Sequence, residues 1–66
     1  MTTALAQHNI LKKDSDGRWY SIPAAEEDSF IQAVEAIMLA DFMSPEWYAA
    51  DDDLTNRFGS YLREDL

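Results

Sequence analysis

The sequence predicts an α+β fold in which an N-terminal antiparallel β-hairpin packs on three α-helices. Three observations support it. The 66-residue length suits a single domain, residues 1–66, and 47% hydrophobic residues suit a folded chain despite a formal net charge of −8. Two segments in which apolar and polar residues alternate flank a predicted turn. Further along the chain, apolar residues recur every three or four residues, as they do on one face of a helix. Residues 1–8 show no periodicity, and we expect them to be flexible.

Residues 9–23 are predicted to form the hairpin around the sequence DSDG, residues 14–17. Asp14 suits the first position of a type I turn, and Gly17 can take the positive φ of a bulged loop. A two- or four-residue loop would change which residues share a face. We prefer a three-residue loop, because it places Asp14 opposite Arg18 and pairs opposite charges. One face would then carry Ile10, Tyr20 and Ile22, and the other Leu11 and Trp19.

Residues 26–41 are predicted to form the first helix. An apolar stripe recurs there at three- and four-residue steps, and it consists of Phe30, Ile31, Val34, Ile37 and Met38. Leu39 points away from this stripe. Asp41 would fall on it, which indicates that the helix ends near Ala40.

The sequence SPEW, residues 44–47, predicts the start of a second helix, with Ser44 as N-cap and proline at the first helical position. One helix could continue to residue 62, but Asp51 would then lie on its apolar face, where an unpaired carboxylate is costly. We therefore expect a short helix at 45–50 and a last helix at 52–63, although one continuous helix stays open. In the broken arrangement Asp51 caps the last helix, and the aspartates after it meet the positive end of its dipole.

No motif points to catalysis, and we expect the protein not to be an enzyme. The chain has no cysteine, which excludes disulfides and thiolate metal sites. Its only histidine, His8, lacks a positioned partner for proton transfer, and no serine has the spacing of a nucleophile elbow. DSDG resembles the start of a calcium loop, but Ala25 stands where that loop requires glutamate. We predict no catalytic residue, cofactor or metal.

The acidic residues are unevenly distributed. Residues 1–23 sum to +1, whereas residues 24–66 carry eleven acids against Arg57 and Arg63, a sum of −9. Carboxylates one helical turn apart lie about 5–6 Å from each other, so rows of them can imitate the phosphates of a DNA strand. For any single charge run, a merely solvated face is the ordinary interpretation. The large total excess favours binding to a basic, nucleic-acid-binding protein, and it disfavours direct binding to nucleic acid or membranes.

Aromatic residues lie next to these acidic residues in the sequence. The chain has eight aromatic residues, more than so small a core can bury completely. Aromatic anchors surrounded by charge are typical of protein interfaces. The predicted partner-binding residues are Glu26, Glu27, Asp28, Glu35, Glu46, Asp51, Asp52 and Asp53, together with Trp47 and Tyr48.

The sequences KKDSDGRWYSIP, EEDSFIQAVEAIML and SPEWYAADDDL, in a short acidic chain without cysteine, resemble the small anti-CRISPR proteins of phages and mobile elements, most closely the type I-C inhibitors. The resemblance covers size, charge and element order. It implies a stoichiometric inhibitor that mimics DNA and blocks the DNA- or PAM-binding surface of a CRISPR surveillance complex, with a Cas subunit as partner. No individual family residue can be transferred to this chain.

The alternative is a small non-catalytic interaction module, such as an antitoxin or regulatory adaptor, that binds through Trp19, Trp47, Tyr48 and Leu39. The N-terminal sequence lacks the basic start and apolar run of a signal peptide. We therefore expect a soluble protein of the cytoplasm. The resemblance to anti-CRISPR proteins implies the cytoplasm of a bacterial host, and we expect the protein to be a monomer there.

Overall fold

The computed structural model describes residues 8–66, so the prediction for residues 1–7 lies outside it. Strands β1 (Asn9–Lys13) and β2 (Trp19–Pro23) precede helices α1 (Glu27–Leu39) and α2 (Pro45–Phe58), and strand β3 (Leu62–Arg63) follows. A 3-10 turn at Ala24–Glu26 leads into α1, and another at Gly59–Tyr61 follows α2. The predicted α+β class is confirmed. The predicted count of three α-helices is wrong, since two are present in this part of the chain.

The three strands form one antiparallel sheet with β2 in the centre. Ile10 pairs with Ile22, and the Asp14 backbone N–H donates to the Arg18 carbonyl over 3.0 Å. Gly17 has a φ of 89°, as the bulged turn requires. The three-residue loop and its register are therefore confirmed.

The reason for this register differs from the predicted charge pairing. The Asp14 carboxylate is buried, and its Oδ1 accepts the backbone N–H groups of Asp16 and Arg18, each at 2.9 Å. Its Oδ2 accepts the Tyr20 hydroxyl at 3.1 Å. Asp14 thus fixes the turn through hydrogen bonds to backbone and tyrosine rather than through the arginine side chain.

One face of the sheet packs on the helices, while the other is open to solvent. The core consists of Tyr20, Ile22, Phe30, Ala33, Ile37, Leu54 and Phe58. Phe30 lies at its centre, because its ring centroid is 5.2 Å from that of Tyr20 and 5.2 Å from that of Phe58. The uncovered face carries Leu11 and Trp19, both exposed. This division of the strand residues is the one predicted.

Helix α1 is one residue shorter at its start than predicted and two residues shorter at its end, and its buried face is rotated. Phe30, Ala33 and Ile37 are buried, whereas Met38 is exposed. A stripe read from large apolar residues overlooks Ala33, whose small side chain allows close packing. The other large apolar residues of the predicted stripe therefore lie on the flank of α1 and are only partly buried or exposed.

Helix α2 is continuous, so the predicted break at Asp51 is wrong. The helices expected at 45–50 and 52–63 are one helix, Pro45–Phe58. Asp51 does lie on the core side, but it is only half-buried, so the cost of a fully buried carboxylate does not arise. The chain leaves the helix after Phe58 and adds β3 to the sheet. No helix within residues 8–66 is long and apolar enough to cross a membrane.

Candidate functional site

The structure separates the charges of the chain. Residues 19–56, which include β2 and almost all of both helices, contain nine carboxylates and no lysine or arginine. Four of the five cations lie in or beside the sheet, and they are Lys12, Lys13, Arg18 and Arg63. The fifth, Arg57, lies in the last turn of α2. The helices therefore carry most of the acidic side chains, while the strands carry most of the basic ones.

The acids of α1 and of the turn before it differ in exposure. Glu26 and Glu27 are half-buried, and Glu27 accepts the Lys12 ammonium group at 3.3 Å. Asp28 and Glu35 are exposed. Seven residues separate them, which is about two turns, so they lie on one face of α1 roughly 10 Å apart. This pair forms an outward acidic row.

The three consecutive aspartates of α2 do not form one patch. Successive helical residues point about 100° apart, so Asp51 faces the core side, Asp52 faces solvent, and Asp53 accepts Arg57 at 3.0 Å. Ser44 is the N-cap of α2, and its Oγ accepts the backbone N–H of Trp47 at 3.1 Å. The predicted capping role of Asp51 is therefore wrong, because it lies in the middle of the helix.

Ion pairing removes little of the acidic surface. Three salt bridges occur among residues 8–66, and they join Lys12 to Glu27, Arg57 to Asp53 and Arg63 to Asp65. Exposed pairs of this kind contribute about 0–1 kcal/mol each. Within the described range, six of the eight predicted partner-binding acids have no ion pair, namely Glu26, Asp28, Glu35, Glu46, Asp51 and Asp52.

An exposed apolar surface lies where α1 passes into α2. We call it the apolar cap, and it consists of Leu39, Phe42, Met43 and Tyr48, all exposed. Trp47 is half-buried beneath it, with its ring centroid 5.1 Å from that of Phe42 and 5.2 Å from that of Tyr48. Sequence reasoning named Tyr48 and Leu39 but missed Phe42 and Met43. The available signal was their position just beyond the end of the predicted apolar stripe.

The most strongly perturbed side chain of the described range lies inside the fold. Burial, followed by the nearby Asp14 carboxylate, raises the pKa of Tyr20 to about 12, and the charge of Asp51 acts in the same direction. Among residues 8–66, no buried side-chain polar atom lacks a hydrogen-bond partner. The Asp14–Tyr20 pair therefore supports the hairpin, and it offers no open position to a substrate.

Two clefts on the described part of the surface do not add a chemical site. One lies between Lys12 of β1 and Val34 and Met38 of α1, with a volume of ≈ 280 Å³. A second, of ≈ 390 Å³, lies between Trp19 and the C-terminal residues. Among residues 8–66, no three His, Cys, Asp or Glu side chains converge as metal ligands would. The acidic helical surface and the apolar cap are the candidate functional sites.

The resemblance to small anti-CRISPR proteins rests on size, charge and the order of the predicted elements. No protein-family model matches this chain, and no curated protein or solved structure matches it at a significant level.

Proposed function

We propose that the protein is a stoichiometric, non-catalytic inhibitor that imitates DNA and occupies the basic surface of a nucleic-acid-binding protein. The observation that carries this proposal is the separation of charge, with nine carboxylates and no cation in residues 19–56. Solubility alone requires only a moderate net charge, with both signs interspersed over the surface. A surface of one sign repels itself, but it attracts a basic partner from a distance.

The geometry of the acids supports the same proposal. Asp28 and Glu35 on α1, and Glu46 and Asp52 on α2, are exposed and have no ion pair within residues 8–66. Rigid helices hold these charges at fixed separations, as a DNA backbone holds its phosphates. Binding would therefore require little reorganisation of the inhibitor.

The target proposed is the DNA- or PAM-binding surface of a type I-C CRISPR surveillance complex in the host bacterial cytoplasm. The resemblance to anti-CRISPR proteins supports this choice, and a Lys- and Arg-lined DNA site is the complement that the acidic helices need. The inhibitor would act as a monomer and compete directly with DNA.

The test is displacement of DNA from a purified type I-C surveillance complex. A variant carrying Asp28→Asn, Glu35→Gln, Glu46→Gln and Asp52→Asn should raise the Kd about 10- to 100-fold at low salt, since each lost pair is worth a few tenths to 1 kcal/mol. It should also flatten the dependence of log Kd on log salt.

The control is Asp16→Asn with Glu64→Gln, which removes two exposed acids outside the two helices, to be compared with the Asp28→Asn and Glu35→Gln half of the helical variant. This control should bind like the wild type. Equal affinity of the wild type and the helical variant, at every salt concentration, would exclude DNA mimicry.

The second candidate is an interaction module that binds through apolar contacts alone, and exposure of the apolar cap favours it. The four residues first predicted for this role do not form one surface, because Trp19 lies on the uncovered face of the sheet while Leu39 and Tyr48 belong to the helices. Binding of this type would be nearly independent of salt, so the same titration separates the two candidates.

A further inference from the structure

We infer that the apolar cap anchors the inhibitor in an apolar pocket of its target, and that lysine and arginine side chains border this pocket. The inference rests on the proposed function and adds a second kind of contact to it. Charge brings the two proteins together quickly, whereas buried apolar side chains at the centre of an interface slow their separation.

The apolar cap is strongly exposed, and its two aromatic rings are held in place. Leu39 is 86% exposed, Phe42 75%, Met43 58% and Tyr48 48%. The rings of Phe42 and Tyr48 both pack edge-on against Trp47, which itself packs on the core. Side chains already fixed in this way lose less entropy on binding. Scattered exposed apolar residues are ordinary, but here four large apolar side chains are exposed within residues 39–48, and two of them pack on the same half-buried tryptophan. Such a concentration marks an interaction site.

The backbone of the loop between the helices is strained where it presents the apolar cap. Met43 has a φ of 66°, in the left-handed region that favours glycine. The turn is closed by a hydrogen bond from the Ser44 N–H to the Asp41 carbonyl at 3.0 Å. A loop selected only to connect two helices gains nothing from a methionine here. Strain of this kind persists where a function requires the side chain.

Acidic residues surround the apolar cap, and they define the occupant. Glu35 lies one turn before Leu39 on α1, and Asp52 lies one turn after Tyr48 on α2. Asp41 precedes Phe42 directly. None of these acids has an ion pair within residues 8–66. A complementary partner therefore offers an apolar pocket with a basic border, whereas a second copy of this chain would bring like charges together.

The N-terminal residues are a less suitable occupant. The His8 carbonyl accepts the Ala24 N–H at 2.7 Å, which fixes the end of residues 1–7 beside the start of α1. From Glu27 to Leu39 the helix rises roughly 18 Å, and seven residues span at most about 25 Å. To reach the apolar cap they would have to use about three-quarters of that length or more.

The experiment uses the purified type I-C surveillance complex and DNA competition at about 0.1 M and 0.5 M salt. Phe42→Ala should raise the Kd about 30-fold or more, and Leu39→Ala should act in the same direction. The slope of log Kd against log salt should stay at its wild-type value, since no charge is removed. Leu11→Ala is the control for Leu39→Ala, because Leu11 is also an exposed leucine but lies on the uncovered face of the sheet.

The possible outcomes separate the inference from the proposed function. If the wild type fails to displace DNA, both fall together. If the wild type competes and Phe42→Ala competes equally well while still folded by circular dichroism, the inference alone is overturned. A concentration-dependent dimer that is lost in Phe42→Ala would assign the apolar cap to a second copy. A Leu5→Ser variant that binds the complex more tightly than the wild type would assign it to residues 1–7.

Discussion

At the scale of single residues, Asp14 shows how one side chain holds the hairpin. Its carboxylate accepts two backbone N–H groups of the turn and the hydroxyl of Tyr20. The sequence predicts the first part of this arrangement, because Asp before a turn commonly accepts its N–H groups. The bond to Tyr20 depends on both residues pointing toward the helices. The hairpin register decides that, and the sequence left it open.

Tyr20 makes the stability of the fold sensitive to alkaline pH. Its pKa is raised from 10.0 to about 12 in the folded protein, so the unfolded chain loses this proton first. The contribution to stability is complete below pH 10 and disappears as the pH rises toward 12. It amounts to roughly 2–3 kcal/mol at most, and urea unfolding measured from pH 9 to 12 should reveal it.

Tyr20→Phe is the control, since it keeps the buried ring without the hydroxyl proton. The variant should be about 1 kcal/mol less stable at neutral pH because one buried hydrogen bond is lost. It should lack the part of the alkaline decline that belongs to Tyr20. Parallel declines in the two proteins would contradict the assignment.

At the scale of elements, local signals predicted the hairpin and the start of α2, while tertiary packing decided the rest. DSDG and SPEW act within a few residues, and both were interpreted correctly. Strand β3 has two residues, too few for a pattern, and it exists because Tyr20 and Trp19 are available as partners. Asp51 could be placed on the core side of α2 from the sequence, but its remaining exposure depends on the packing around it.

The loop between α1 and α2 should be less stable than it could be. Met43→Gly removes the Cβ that disfavours a φ of 66°, and the gain of about 1–2 kcal/mol is partly offset by the greater freedom of glycine in the unfolded chain. We expect a net stabilisation of about 0.5–1 kcal/mol in urea unfolding.

The same substitution should weaken binding to the surveillance complex, because it removes one side chain of the apolar cap. Ala36→Gly, on the exposed surface of α1, is the contrasting control and should destabilise by about 1 kcal/mol. A loss of stability in Met43→Gly would show that the left-handed backbone is not strained.

At the scale of the whole molecule, the candidate site could be predicted only in part. The acidic excess is a property of composition, so the sequence indicated it directly. The ion pairs depend on where the five cations lie in space. For that reason the sequence did not predict that Glu27 and Asp53 would be paired. Of the apolar cap, only Leu39 and Tyr48 were predicted, since the surface arises where two elements meet.

Charge separation should also make folding sensitive to salt. The nine carboxylates of residues 19–56 repel one another, and salt screens that repulsion. We expect the Tm to rise by about 5 °C between about 0.01 M and 0.5 M sodium chloride, which corresponds to roughly 1 kcal/mol for a chain of this size. Calorimetry or circular dichroism would measure the change.

The variant without the acids Asp28, Glu35, Glu46 and Asp52 should melt at a higher temperature in low salt and respond less to added salt. The control without Asp16 and Glu64 should retain most of the wild-type response. A Tm that is independent of salt in the wild type would mean that the acids are too far apart to repel one another appreciably.

Most basic side chains lie on the strands and most acidic side chains lie on the helices, so the molecule has an electric dipole moment as well as a net negative charge. In the field of a positively charged surface the molecule would rotate until α1 and α2 face that surface and the sheet lies on the far side. The uncovered face with Leu11 and Trp19 would then point away from the complex. That side is where a dye or affinity handle could be attached without obstructing the encounter.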